Sequence, residues 1–255
     1  MRKLTKYVLV AFLTLLPWAG QGLSSAQAAD GWAVDFDLTY NGKYVWRGLR
    51  AVDDPVLQPS MNIAKYGLTL NIWGNYNLTD VNGDDQKRKF TELDFTADYT
   101  FTLGKFSFPV GVIHYIFPNT SANPTTEIYA GVSYDWIITP KLVIYKDVQD
   151  AHGVYGNLSL GFKHDLPSLS KDFSLGVKAG ASLGYGNADY NKYYFGVDEA
   201  HFTDLSATVG LPIGLGKYFT LTPAVTYSRL VDSAIKDSRT YSDSTFAGLS
   251  LSVSF

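Results

Sequence analysis

A regular alternation of apolar and polar residues runs through the chain after Gly31 and limits the folds open to it. Across residues 92–101 every second side chain is apolar and the side chains between are polar or charged, and residues 173–185 repeat the pattern. A period of two is the side-chain period of a β-strand, so each such segment has one apolar and one polar face. The pattern predicts an all-β protein.

Twelve segments carry the alternation. They are predicted as strands at 32–48, 55–64, 67–77, 90–102, 105–117, 125–137, 140–148, 153–164, 172–186, 201–214, 217–230 and 244–255. Tight turns are predicted at 65–66, 104, 139–140 and 214–216, with a turn of medium length at 166–171. Longer polar loops are predicted at 51–54, 78–89, 118–124, 149–152, 186–200 and 231–243. Short turns on one side and long loops on the other are typical of outer-membrane barrels, whose long loops face outward.

The alternation fits either a soluble β-sandwich or a membrane barrel with a polar lumen, and two features favour the barrel. Every strand carries the apolar face, and residues 248–255 alternate up to Phe255, which resembles the C-terminal signal read by the outer-membrane assembly machinery. A closed sheet also satisfies every backbone polar group in lipid. We predict a transmembrane antiparallel up-and-down β-barrel of twelve strands. The even count places both termini in the periplasm.

The N-terminal segment has the features of a cleaved signal peptide. Three basic residues lie within the first six positions, residues 7–16 form a short apolar run, and Ala26-Gln27-Ala28 forms a cleavage site. The apolar run is too short for a transmembrane anchor. We therefore predict a signal peptide at 1–28 and a barrel domain at 29–255, located in the Gram-negative outer membrane.

Composition excludes several classes of site and partner. The chain has no Cys, so it has neither disulfides nor a thiolate metal site. Cleavage after position 28 would remove three basic residues and change the formal net charge from −3 to −6. A mildly acidic chain without a basic stripe is a poor partner for nucleic acid. We expect no cofactor, and we expect contacts with outer-membrane lipid and lipopolysaccharide.

Several short motifs between about residues 35 and 135 resemble the TorF family of porins. The motifs are Tyr44-Val45-Trp46-Arg47-Gly48, Pro55-x-x-Gln58, the segment 67–74 with Trp73, Glu92-Leu93-Asp94, Tyr115-Ile116-Phe117-Pro118 and Glu127-Ile128-Tyr129-Ala130-Gly131. Phe117 stands where the family more often has Tyr, and the C-terminal half matches only as a barrel. The resemblance implies an outer-membrane porin and assigns no chemistry to individual residues.

The polar face of the strands predicts the lining of a pore. If the aliphatic face meets lipid, acids outnumber bases among the inward residues, and Arg47 is expected to pair with acids on neighbouring strands. The predicted pore-lining residues are Asp35, Asp37, Arg47, Glu92, Asp94, Asp98, Glu127, Asp135 and Lys178. An acid-rich lining favours cations and neutral solutes over anions. We therefore predict a channel for passive diffusion of small hydrophilic solutes.

Two other functions remain open. Salt bridges could plug a narrow lumen, and a non-conducting barrel would then act as a structural or surface-binding protein through the aromatic loop 186–200. A lipid-modifying enzyme would need a hydroxyl, a His and an orienting group together. His114 is expected at the lipid-facing outer rim, but Ile116 stands where a Ser would be required, so we predict no enzyme and no catalytic residues.

A divalent ion is considered for the loop Asp80-Val81-Asn82-Gly83-Asp84-Asp85. It resembles the start of a calcium loop, but its sixth residue is Asp85 rather than Gly and no Glu stands at the twelfth position. The Asn82-Gly83 pair is explained by a loop tip alone. We predict a solvated loop and no metal site.

Overall fold

The structure, a computed structural model, describes residues 31–167, 170 and 172–255. The predicted signal peptide lies outside the described residues. In chain order the strands are β1 (Ala33–Asn41), β2 (Tyr44–Trp46), β3 (Leu49–Val52), β4 (Val56–Lys65), β5 (Leu68–Asn77), β6 (Phe90–Leu103), β7 (Phe106–Ile116), β8 (Thr125–Tyr134), β9 (Thr139–Asp147), β10 (Val154–Asp165), β11 (Phe173–Gly186), β12 (His201–Gly210), β13 (Ile213–Leu215), β14 (Phe219–Leu230) and β15 (Asp243–Ser254). Two helices are α1 (Ala188–Phe195) and α2 (Ser233–Asp237).

The strands close into an antiparallel barrel with twelve strand positions. From β1 the ring runs through β4 to β11 in chain order, continues through β12 with β13, then β14, and returns through β15 to β1. Strands β12 and β13 share one position because both pair with β11 and β14, and Pro212 interrupts them with a residue that has no N–H to donate. The predicted fold class and strand count are confirmed.

Short turns and long loops lie at opposite ends of the barrel. The turns are 66–67, 104–105, 135–138 and 216–218. Strand β1 begins and β15 ends on the same side of the barrel as these turns. The loops are 42–55, 78–89, 117–124, 148–153, 187–200 and 231–242. The turns close tightly because Gly67, Gly104 and Gly216 adopt positive φ. We name the two sides the turn end and the loop end.

The outward face carries an aliphatic band between two rows of aromatic rings. Exposed aliphatic residues near mid-strand include Leu38, Leu70, Ile72, Val112, Ile128, Leu142, Ile144, Leu158, Leu160, Val209 and Leu251. Exposed rings at the turn end are Trp32, Tyr66, Phe101, Phe106, Trp136, Phe219 and Phe255, and at the loop end Tyr40, Phe90, Tyr185, Phe202 and Tyr227. An apolar band with aromatic girdles is the surface that a bilayer and its two interfaces require.

The first predicted strand, 32–48, is shorter in the structure than in the prediction. Strand β1 ends at Asn41, and the chain then leaves the wall and enters the lumen as the β2–β3 hairpin. This hairpin pairs with no barrel strand among the described residues. Arg47 and Gly48 form its two-residue turn with φ of 46° and 80°. Two consecutive positive φ values are typical of the tight hairpin turn that matches strand twist. Residues 44–52 are called the plug hairpin below.

The two helices lie in loops at the loop end. Asn187 caps α1, its side chain accepting from the Tyr190 backbone N–H at 3.0 Å, and Gly196 ends the helix in the left-handed conformation. Asp232 caps α2 in the same way through the N–H of Ala234. Neither helix has the length and apolar character needed to cross a bilayer, as judged over the described residues.

Candidate functional site

The plug hairpin crosses the lumen from β1 to the opposite wall. Strands β1 and β9 are six positions apart in the twelve-position ring, which is the full width of the barrel. The guanidinium carbon of Arg47 nevertheless lies 4.5 Å from the ring centre of Tyr145 on β9 and 4.2 Å from that of Tyr155 on β10. Arg47 is therefore held by the far wall, and the expected pairing with acids on neighbouring strands is wrong.

The partner of Arg47 is Glu127 on β8. The two side chains form a bidentate pair, with Nη1 to Oε1 at 2.8 Å and Nη2 to Oε2 at 2.7 Å, and both are buried. Tyr115 donates its hydroxyl to the same carboxylate at 2.8 Å. Bidentate charge-assisted pairs are among the strongest polar contacts in proteins. This pair is the main anchor of the hairpin tip.

Aromatic side chains surround the anchor. The guanidinium carbon lies 4.5 Å from the ring of Trp46 and 6.0 Å from that of Tyr190 on α1, in addition to Tyr145 and Tyr155. Trp46 in turn packs on Tyr194 with ring centres 5.1 Å apart. Cations over aromatic faces are attracted by the ring quadrupole, most strongly where water is excluded. The hairpin tip and α1 therefore form one packed unit.

The remainder of the hairpin fills the loop-end half of the lumen. Tyr44 donates its hydroxyl to Glu92 at 2.7 Å and packs against Trp73 with ring centres 5.7 Å apart. Tyr190, Phe195 and Ile235 from the two helices are buried in the same cluster as the wall residues. The loop end of the barrel is thus plugged by side chains from the hairpin, α1 and α2.

Ion pairs hold the base of the hairpin. Asp53 accepts from Lys43 and, at 2.9 Å, from Arg50. The Lys43 ammonium, followed by the Arg50 guanidinium, holds the pKa of Asp53 below its usual value. The guanidinium of Arg50 also lies 4.3 Å from the ring of Tyr241 and donates to Ser244 at 3.0 Å. These contacts tie the base to loop 231–242 and β15.

Between the plug and the turn end the lumen is polar, and its two walls differ in the size of their side chains. The wall from β10 to β15 presents small side chains that pair across strands, such as Ser182 with Ser206 at 2.8 Å and Thr208 with Thr226 at 2.9 Å. The wall from β4 to β9 presents larger groups, including Tyr129, whose hydroxyl donates to Asp98 at 2.7 Å. The side chains of the wall from β10 to β15 therefore take up less of the lumen than those of the wall from β4 to β9.

Eight of the nine predicted pore-lining residues lie on the inner face, in two groups with Asp98 between them. Arg47, Glu92, Asp94 and Glu127 meet around the plug, whereas Asp35, Asp37 and Lys178 are half-buried on the inner face nearer the turn end. Asp37 accepts from Ser252. Asp98 lies between the two groups and also accepts from Thr100 at 2.8 Å.

Two of the predicted site residues lie at the turn end. Asp135 follows the last residue of β8 and belongs to a turn, because that strand ends at Tyr134, three residues before its predicted boundary at position 137. Phe255 is exposed on the outer surface, with its ring centre 5.5 Å from that of Tyr218 and its backbone N–H bonded to the carbonyl of Val34.

Asp94 is the least satisfied of the acids. Its exposed fraction is 1%, and neither carboxylate oxygen has a hydrogen-bond partner among the described residues. It lies close enough to Glu92, Glu127 and Arg47 for their charges to interact. A buried carboxylate without partners is costly unless a cation compensates it. The plug region therefore holds more carboxyl groups than cationic groups to pair with them.

Sequence reasoning missed several residues of this site. Asp204 on β12 packs against the hairpin turn, and an ideal Cβ on Gly48 would lie 2.7 Å from the Cβ of Asp204. Tyr155 donates to Asp204 at 3.0 Å. Both residues occupy inward positions in strands whose residues alternate between apolar and polar. That alternation is the only sequence signal that could have indicated them.

For a non-conducting barrel, loop 186–200 is predicted as the binding surface, and in the structure most of its aromatic residues face the lumen. Tyr190 and Phe195 are buried, while Tyr193 is exposed and donates to Asp150. Partial burial, with Asp150, raises the pKa of Tyr193 to about 12. Part of the predicted polar loop is a helix, which Asn187 and Gly196 cap at its two ends.

A second polar cluster lies on the lipid-facing side at the loop end. His114 Nδ1 lies 2.9 Å from Thr126 Oγ1 on the adjacent strand, and Thr126 donates to Gln149 at 2.8 Å. The hydroxyl that the sequence lacks at position 116 is thus supplied across the sheet.

In loop 78–89, Asp80 pairs with Lys87 at 3.0 Å. No group of three metal-ligating side chains occurs within the described part of the chain.

Solved structures with the same fold include an outer-membrane channel and a porin. An outer-membrane channel from Pseudomonas putida F1 is 12% identical, with a TM-score of 0.53, over 93% of this chain and 100% of its own. The NanC porin is 11% identical, with a TM-score of 0.50, over 86% and 98%. LpxR from Salmonella typhimurium is 8% identical, with a TM-score of 0.52, over 87% and 99%. At such identities the likeness concerns the fold alone.

No curated protein matches the chain in sequence. A family profile described as a bacterial protein of unknown function, Gcw_chp, matches residues 25–237. That range spans most of the barrel, from before β1 through α2, and includes every residue of the plug hairpin. The chain belongs to the Gcw_chp family of bacterial proteins.

Proposed function

We propose that this protein is a porin-type channel of the Gram-negative outer membrane that passes small hydrophilic solutes by diffusion. The observation that carries the proposal is a closed barrel with a polar inner face whose plug pairs with no barrel strand among the described residues. A plug held by side chains can leave without breaking the wall. The termini lie in the periplasm in this proposal, which puts the plug at the outer mouth.

The proposal includes a mild preference for cations and neutral solutes. Asp94, Glu92 and Asp204 are inward, and Arg47 is already neutralised by Glu127. An excess of acids on a low-dielectric wall raises the local concentration of cations and repels anions. When the plug hairpin moves out, it takes Arg47 with it, and the excess of acids along the path increases.

The proposal includes two further points, which are membership of the TorF porins and the molecules that the outside of the barrel contacts. The motif blocks that resemble TorF porins contain Tyr44, Arg47, Glu92, Tyr115 and Glu127, and these residues hold the plug together. We infer that the TorF name applies to this chain on that basis. The outward girdles would contact outer-membrane lipid and lipopolysaccharide, and Phe255 would be read by the assembly machinery.

The test is single-channel conductance of refolded protein in a planar bilayer, with reversal potentials across a KCl gradient. Wild-type protein is expected to open briefly, and a variant with residues 44–52 replaced by a Gly-Ser linker of equal length is expected to stay open. Both should prefer K⁺ to Cl⁻. Reproducible silence from both proteins, with the barrel shown to be folded by its circular dichroism, would contradict the channel.

A non-conducting barrel is the second candidate, and the plug itself favours it. A lumen filled by Arg47, Trp46 and the aromatic residues of α1 would leave the loops as the only functional surface. In that case the linker variant would conduct while the wild type never opens under any voltage or solute. Silence confined to the wild type therefore separates this candidate from the channel.

A lipid-modifying enzyme has one observation in its favour, the contact between His114 and Thr126. A hydroxyl beside a His can act as a nucleophile with its base. Turnover of radiolabelled phospholipid or lipopolysaccharide by wild-type protein, abolished in Thr126→Ala and retained in Thr126→Ser, would establish this activity. We expect no turnover, because Thr126 donates its hydroxyl to Gln149 and therefore accepts from His114, so the imidazole is not placed as a base toward that hydroxyl.

A further inference from the structure

The guanidinium of Arg47 occupies a pocket that has the chemistry of a receptor for organic cations. Three ring centres lie within 4.5 Å of its central carbon, and Glu127 binds its two terminal nitrogens. Aromatic faces around a desolvated cation, closed by one carboxylate, recur where proteins recognise ammonium and guanidinium groups. In this protein the cation belongs to the chain itself.

Most of the pocket belongs to the wall and not to the hairpin. Glu127 lies on β8, Tyr145 on β9 and Tyr155 on β10, while Tyr190 comes from α1. Only Trp46 lies on the hairpin and would leave together with Arg47. The carboxylate and three of the four rings therefore remain in place when the hairpin moves. They then form a cation site that the Arg47 guanidinium no longer fills.

Charge makes that site selective for cations. Removing Arg47 leaves Glu127 buried, with the Tyr115 hydroxyl but without its ion-pair partner. The two carboxylate oxygens of nearby Asp94 have no hydrogen-bond partner among the described residues. Asp204 has one further oxygen without a partner and lies close enough to interact with Arg47. Buried charges of one sign are costly, so any cation that fits between the rings is stabilised.

We propose that the pocket formed by Glu127, Tyr145, Tyr155 and Tyr190 binds solutes carrying a guanidinium or ammonium group, and that Arg47 is a tethered occupant which such solutes displace. This inference rests on the proposed channel and names its solute class. A solute that binds only when Arg47 is out shifts the population toward the open plug. The solute would thus promote its own passage.

The experiment uses the refolded full-length barrel with Arg47→Ala, titrated with guanidinium chloride at low millimolar concentration. Binding is followed by calorimetry, with NaCl at equal ionic strength as the reference, and conductance is recorded in parallel. Saturable binding is expected, about tenfold or more tighter than Na⁺ from the ring contacts alone. Guanidinium should also block the conductance of this variant. The double variant Arg47→Ala with Glu127→Gln should lose the binding, and Arg229→Ala, which removes an exposed arginine on β14, should behave as wild type.

The two readouts separate this inference from the channel itself. Conductance in Arg47→Ala with no preference for guanidinium over Na⁺ in either readout overturns the pocket and leaves the channel standing. Binding without conductance supports the pocket and contradicts the channel. If Arg47→Ala does not fold, Arg47→Gln replaces it. In wild-type protein, opening frequency should rise with guanidinium and not with Na⁺, and an equal response to both ions also overturns the inference.

Discussion

Gly48 packs directly against Asp204 on β12, a wall strand three positions from β1 in the ring. An ideal Cβ on Gly48 would lie 2.7 Å from the Cβ of Asp204 and 2.8 Å from Cδ2 of Leu230. Real Cβ atoms do not approach so closely, so only glycine allows the hairpin turn to lie against Asp204 and Leu230. The depth to which the plug enters the lumen is therefore set by a contact between backbone and wall.

We predict that Gly48→Ala unseats the plug. The added methyl group clashes with Asp204 and Leu230, and such overpacking costs about 1–3 kcal/mol. This cost falls on the closed state, so open probability should rise by about tenfold or more. Single-channel recording checks it against Gly104→Ala, which has the same left-handed strain with nothing within 4 Å of the new methyl group. Equal open probability in the two variants would show that the clash does not control the plug.

Ion preference should depend on the inward acids of β6. Asp94→Asn and Asp98→Asn each remove one negative charge while keeping the side-chain shape. We expect each variant to shift the reversal potential toward weaker K⁺ preference because cation accumulation at the wall falls. Asp84→Asn removes the same charge from an exposed position in loop 78–89 and should leave the reversal potential unchanged. A shift of equal size in Asp84→Asn would mean that the wall does not set the preference.

Acid should loosen the base of the hairpin through Asp53. The Lys43 ammonium lowers the pKa of Asp53 in the folded state. The ion pairs therefore stabilise the closed hairpin fully above the unfolded pKa of about 3.9, and the stabilisation is lost as pH falls through the lower folded pKa. Open probability should rise below about pH 4 in wild type.

Two variants test the role of Asp53 in this pH dependence. Asp53→Asn should already show the higher open probability at neutral pH and should lose that part of the acid response. Asp80→Asn is the matched control, because the Lys87 ammonium likewise lowers the pKa of Asp80 in loop 78–89. An unchanged acid response in Asp53→Asn would assign the effect to other carboxylates.

Assembly should depend on the terminal ring. Phe255→Ala removes the aromatic end of the last strand, and we expect less folded barrel in the outer membrane with unchanged conductance for each assembled channel. Quantitative heat-modifiability on gels measures the folded fraction. Tyr218→Ala removes the neighbouring ring, whose centre lies 5.5 Å away, and keeps Phe255. If both variants lose the same amount of folded barrel, the ring pair rather than the terminal signal is responsible.

The alternating pattern by itself determined the strand number, the two faces and the opposite ends of turns and loops. These features are local, because successive side chains of a strand point to opposite faces whatever the rest of the chain does. The inward positions of Asp94, Asp98 and Glu127 followed directly from that rule. The helix between Asn187 and Gly196 did not follow from the pattern, because it has too few turns to show a period.

Only the tertiary structure decided what the first loop does. Residues 44–48 continue the alternation of β1, so sequence periodicity could not separate a barrel strand from a hairpin that leaves the wall. Arg47 and Glu127 lie 80 positions apart in the chain, and they meet because ring closure brings β8 opposite the hairpin tip. Which residues face each other across a lumen depends on the number and stagger of the strands, a property of the closed barrel and not of any one segment.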